Sequence, residues 1–177
     1  MKIATGKFIL VVILVAISCS TIAEETGAHN ALPNLLARLS GEWTMTGDVR
    51  GKPVNYQLHS EAVLNNTFIE LHMTDVSAPP KYEARVFIGF DPKTQRIIAH
   101  WIDSFGAAFS IPPGIRRIDG NQIEFEIPYP DGPFKDTFVY AGQADAWTLT
   151  IDSGDGTGTT KHFAAYAIKR GIGDDHG

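Results

Sequence analysis

The residue best placed to do chemistry in this sequence is Asp103. It continues the series Ile97, Ala99 and Trp101. Successive side chains of a strand point to opposite faces, so Asp103 points wherever Trp101 points. An inward carboxylate beside an indole needs a partner or a ligand donor to offset its desolvation. Left unpartnered, it would titrate above the ordinary value of roughly 3.9, the condition of a general base or a polar ligand anchor. The alternative is structural: the strand ends at Asp103 and its side chain caps the Phe105-Gly106 turn. Asp103→Asn should stabilise the protein at neutral pH under the first reading and not under the second.

Other chemical signatures are sparse. No G-x-S-x-G motif is present, and Ser104 has no histidine fixed beside it by sequence. His59 shares a polar parity with Asn55, Gln57 and Glu61, and His72 shares a face with Glu70, so exposed positions are expected for both. No two histidines stand at i, i+2 or i, i+4, and the mature chain holds no thiolate, which argues against zinc. A haem-binding barrel needs an inward histidine, a role open only to His100 or His162. The stretch Asp152-Ser153-Gly154-Asp155-Gly156 lacks the spaced acidic ligands and closing glutamate of a calcium loop, and fits a hairpin tip. Neither metal nor cofactor is expected.

The elements that must position these residues are strands. From Trp43 onward apolar and polar residues alternate, with breaks at turn-forming residues such as Asn65-Asn66, Ser77-Ala78-Pro79-Pro80 and Asp119-Gly120-Asn121. Asp91-Pro92-Lys93-Thr94 suits a type I turn, because the Pro92 ring presets φ at its second position. About ten strands with short connections, no central helix and no internal repeat make an all-β antiparallel meander, and closing it into an up-and-down barrel removes its edges. A short helix is expected over Leu32 to Leu39, ending near Gly41 and lying across one end. The inward parity collects Tyr56, Met73, Tyr82, Phe90 and Trp101, the expected ligand-binding set with Asp103. Ala62, Ala84, Ala99 and Gly47 on that parity would leave room for a small apolar ligand. Arg85, on the opposite parity, should pair with a carboxylate of a neighbouring strand.

Gly41-Glu42-Trp43, following the helix, resembles the G-x-W element of the lipocalins and other calycin barrels. That resemblance implies a tryptophan closing one barrel end and an arginine of the last strand stacked on it, here Arg170. Guanidinium on indole is favourable by roughly 0.5–1 kcal/mol or more. Together with Gly89-Phe90-Asp91, Ile97 and Trp101-Ile102-Asp103-Ser104, the pattern is similar to an uncharacterised family of bacterial, often exported, calycin-like barrel proteins. The resemblance runs from Leu35 to Arg170 and implies a fold without a reaction.

Residues 1–23 have the form of a secretory signal peptide, with Lys2 and Lys7 before the apolar run Phe8 to Ile17 and small residues before Glu24. Residues 24–30 should be a flexible lead and 31–177 a single barrel domain. Cleavage leaves 154 of the 177 residues and takes the formal charge from −5 to −7, since Lys2 and Lys7 leave with the peptide. So acidic a chain, without a Lys/Arg run, argues against nucleic acid or anionic membranes as partners, and no integral membrane segment remains. The leading functional expectation is an exported, periplasmic or secreted barrel that binds a small, mainly apolar molecule without transforming it. The alternatives are an enzyme with Asp103 as general base, and a packed barrel that works as an interaction protein. N-terminal sequencing of exported material should begin at Glu24. Material that partitions into detergent and labels with palmitate would instead make Cys19 the start of a lipoprotein.

Overall fold

The alternation is realised as ten strands in a computed structural model that describes residues 32–110 and 114–171. They are β1 (Gly41–Val49), β2 (Lys52–Val63), β3 (Phe68–Asp75), β4 (Glu83–Asp91), β5 (Arg96–Asp103), β6 (Gly114–Asp119), β7 (Gln122–Ile127), β8 (Phe134–Ala141), β9 (Ala146–Gly154) and β10 (Thr160–Arg170). Each strand pairs antiparallel with the next. The sheet closes where β1 pairs β10, from Trp43 opposite Arg170 to Val49 opposite Ala164. The expected up-and-down barrel with one short N-terminal helix is therefore the observed architecture. The predicted signal peptide, the Cys19 alternative and the 24–30 segment lie outside the described residues.

Turn chemistry sets the register. Arg50 and Gly51 both have positive φ and join β1 to β2 in a two-residue hairpin, the backbone twist such turns require. Asp91 accepts hydrogen bonds from the Lys93 backbone (2.9 Å) and the Thr94 hydroxyl (2.7 Å), holding the turn before β5. Parity fails only where strands leave the barrel. Ala62, expected inside, is exposed near the end of β2. Gly47 does not leave space either. A Cβ there would stand 1.9 Å from the Ala165 carbonyl oxygen, so the absent side chain admits the β10 backbone and not a ligand.

The two barrel ends differ. The predicted helix shrinks to one turn, α1 (Asn34–Ala37), because Pro33 starts it and the chain must turn into β1 by Gly41. Leu36 and Leu39 are fully buried in the core, so this segment plugs the end where β1 begins. Trp43 is 1 % exposed and donates its indole N–H to the Leu39 carbonyl at 2.7 Å. The Arg170 guanidinium lies 3.8 Å from the Trp43 ring centroid and donates to the Ser40 carbonyl (2.9 Å) and Asp145 (2.8 Å). Gly41 makes this geometry possible. Its φ is +134°, and a Cβ would fall 2.1 Å from the guanidinium nitrogen. Ile69, Val86, Ile88, Ile97, Ile123, Phe125 and Leu149, all at 0 % exposure, fill the interior. Trp43→Ala should cost about 3–5 kcal/mol, a large part of an ordinary folding free energy; an unchanged melting temperature would show that Trp43 does not close the barrel.

Candidate functional site

At the end opposite Trp43 the connections after β3, β5, β7 and β9 converge, and the interior changes character there. Tyr56 of β2 packs against Tyr82 (ring centroids 5.6 Å apart) and Tyr166 of β10 (6.0 Å). Tyr82 continues to Phe105 (5.6 Å), and Phe105 to Phe109 (6.2 Å). Phe105 and Phe109 are 68 % and 57 % exposed, so the aromatic series runs from the core out to solvent. Burial is the main reason the Tyr56, Tyr82 and Tyr166 hydroxyls are held above their ordinary titration range. They are neutral donors and acceptors at physiological pH.

Asp103 stands in this end as the last residue of β5, opposite Ala84. One carboxylate oxygen accepts the Phe105 N–H at 2.9 Å and the other accepts the Tyr82 hydroxyl at 3.2 Å. The Trp101 indole donates to the same Tyr82 oxygen, also at 3.2 Å. Asp103 is thus a half-buried turn cap within a Trp101–Tyr82–Asp103 chain, and the unpartnered inward carboxylate envisaged from parity is not found there. Met73 lies deeper, between Leu58 and Ala84 in the register. Phe90 belongs to the other end, where it borders a surface hollow with Phe68 and Ile98. A second hollow, bounded by Arg85, Phe87 and Ile102, lies on the outer wall below Asp103.

The unpartnered carboxyl is Asp136. It is the third residue of β8, flanked in the register by Phe125 of β7 and Ile151 of β9. It is 2 % exposed, and its Oδ1 has no hydrogen-bond partner. Burial first, and the nearby charge of Asp152 second, push its carboxyl up to about 8. Its charge acts in turn on Tyr166, and on Tyr129 together with that of Asp103. Tyr129 therefore lies within reach of both carboxylates. The signal was legible: Asp136, Phe138 and Tyr140 share one parity.

Among the described residues the histidines and remaining charges belong to the outer wall. His59 bonds to Glu42, and His72 to Glu83 at 2.7 Å. His100 is exposed, and His162 lies between Asp48 and Asp152 (3.5 and 4.0 Å), so neither faces the interior as a haem ligand would. Arg85 pairs with Glu70 of β3, a surface contact of small energetic weight. Among the described residues no three His, Cys, Asp or Glu side chains converge as a metal site, and no helix is long and apolar enough to cross a membrane.

Fold and site together define a small closed β-barrel with one stoppered end and one aromatic end holding a buried carboxyl. The chain belongs to the family described as "Protein of unknown function (DUF1579)", whose pattern matches residues 29–170. Among solved structures it is similar to the crystal structure of Rv2717c from M. tuberculosis, with a TM-score of 0.51 and 13 % identity over 79 % of this chain and 99 % of that one. At that identity the likeness is one of fold. No curated protein matches the chain.

Asp136 gives the site a pH signature. The folded-state value is raised, so between about pH 4 and pH 8 the folded protein holds a proton that the unfolded chain has lost, and stability falls as pH rises through that window. Asp136→Asn removes the ionisation. Relative to wild type the variant should gain stability between pH 5 and pH 8.5, by a few kcal/mol at most on the scale of about 1.4 kcal/mol per pH unit. Parallel pH dependences in chemical denaturation would place the carboxyl in water or against a partner.

Proposed function

We propose that this protein is an exported barrel that binds a small, mainly apolar molecule at its aromatic end without transforming it. The contrast between the ends carries the reading. One end is stoppered by Leu36, Trp43 and Arg170, whereas the other gathers Tyr56, Tyr82, Trp101 and Tyr166 beneath the exposed Phe105. Apolar ligand surface removed from water against such rings gains about 25 cal/mol per Å². The phenol hydroxyls add a few oriented hydrogen bonds, the usual composition of a small-molecule site. Because Trp43, Trp147 and Ile168 fill the interior near the stoppered end, the ligand belongs in the upper part of the barrel.

The enzyme reading has less support, because the Asp103 carboxylate is held as a turn cap by the Phe105 N–H and the Tyr82 hydroxyl. The interaction-protein reading draws on a separate observation, the exposed rings of Phe105 and Phe109. A calycin-like ancestry is supported by the Gly41, Trp43 and Arg170 arrangement. Export, to periplasm or medium or to a lipid anchor at Cys19, is supported by Lys2, Lys7 and the apolar run after them.

Native mass spectrometry of the full chain purified from its own compartment should reveal a small noncovalent adduct, and Tyr82→Ala should weaken it. If the wild type emerges bare and 2-phenylethanol leaves the tyrosine NMR resonances unmoved, the interaction reading takes its place.

A further inference from the structure

We propose that Asp136 is the recognition anchor of this barrel, and that its ligand is a small amine whose ammonium group pairs with the Asp136 carboxylate while its apolar body packs among the tyrosines of the aromatic end. The inference rests on the binding reading above and names the chemical class of the ligand.

The observations are geometric. Asp136 is fully enclosed, faces the interior on the same parity as Phe138, and has an oxygen without a partner. Unpartnered buried polar atoms are rare in folded proteins and each calls for an explanation; at Asp136 a ligand donor would supply the hydrogen bond that its oxygen lacks. Asp152, opposite Lys135 in the register, acts on Asp136 from the outer wall, and the groups facing it from neighbouring elements are Phe125 of β7, Ile151 of β9, Tyr166 of β10, and Tyr129 of the connection between β7 and β8. None is a cation, and among the described residues no Lys, Arg or His pairs with Asp136. A site that offers a carboxyl and aromatic faces matches a cation on both counts. Charge-assisted hydrogen bonds are roughly twice as strong as neutral ones, and ring faces attract ammonium groups. An anionic ligand would meet the Asp136 carboxyl with no compensating positive charge, and a neutral ligand would leave the cation preference unused.

Proton balance follows from the same arrangement. Asp136 with its carboxyl near 8 is mostly protonated in the empty barrel at pH 7. Binding an ammonium ion converts it to carboxylate, and the displaced proton passes to the buffer. The amine itself arrives and stays protonated.

The test is calorimetry on the full chain with 2-phenylethylamine and its uncharged analogue 2-phenylethanol, in two buffers of different ionisation enthalpy. The expected result is amine binding at least about tenfold tighter than the alcohol, with close to one proton released at pH 7. Amine affinity should rise by up to about tenfold per pH unit below pH 8 and level off above it. Asp136→Asn, an isosteric change, should lose at least about tenfold in amine affinity, abolish proton release and leave the alcohol unaffected. Alcohol binding as tight as the amine, or amine binding that Asp136→Asn does not alter, overturns the anchor while keeping the aromatic end as a binding site. Failure of both compounds to bind the wild type overturns the anchor and the binding reading together.

Discussion

The contact of Arg170 with Trp43 ties the last residue of the last strand to the first strand, and the rest of the barrel depends on that closure. A sheet that pairs its first strand with its last has no edge left to template aggregation, but the seam must be held. Gly41 makes room for the guanidinium, Asp145 orients it, and Tyr140 bonds both to Asp145 (2.9 Å) and to Arg38 behind α1 (3.4 Å). One end is thereby committed to structure. At the other end Tyr56, Tyr82, Tyr166 and Asp136 bring polar groups into the interior.

The strands were legible in the sequence because a closed sheet with one dry face imposes a period of two on every element. From Phe134 to Ala141 buried positions recur at every second residue. Periodicity misleads near strand ends, where a paired neighbour is present on one side only. Ala62 points to solvent, and Asp103 turns its carboxylate to the backbone N–H of Phe105. The helical spacing of Leu32, Leu36 and Leu39 is real, but only one helical turn fits between Pro33 and Gly41.

The site was half legible. Parity brought Trp101, Tyr82, Tyr56 and Asp103 together, and the structure gathers those four at one end. The same rule included Phe90, because parity specifies a face and says nothing of height along the barrel. Asp136 was passed over beside the more conspicuous Trp101–Asp103 pair, although it lies well inside its strand, where neighbours on both sides enforce burial. For an aspartate, position within the strand decides what parity is worth.

The ladder between β5 and β6 is short. Among the described residues it spans Ile97 to Ala99, three pairs, whereas β1 and β2 share nine. β6 is also mostly exposed, with Ile115, Arg116 and Arg117 facing solvent. A closed cylinder is stiff because every strand is braced on two sides, so its compliance concentrates where bracing is thinnest. Among the described residues β6 is held by three register pairs on each side, so it is the stave of the wall that local opening should release first, while the Trp43 end stays shut.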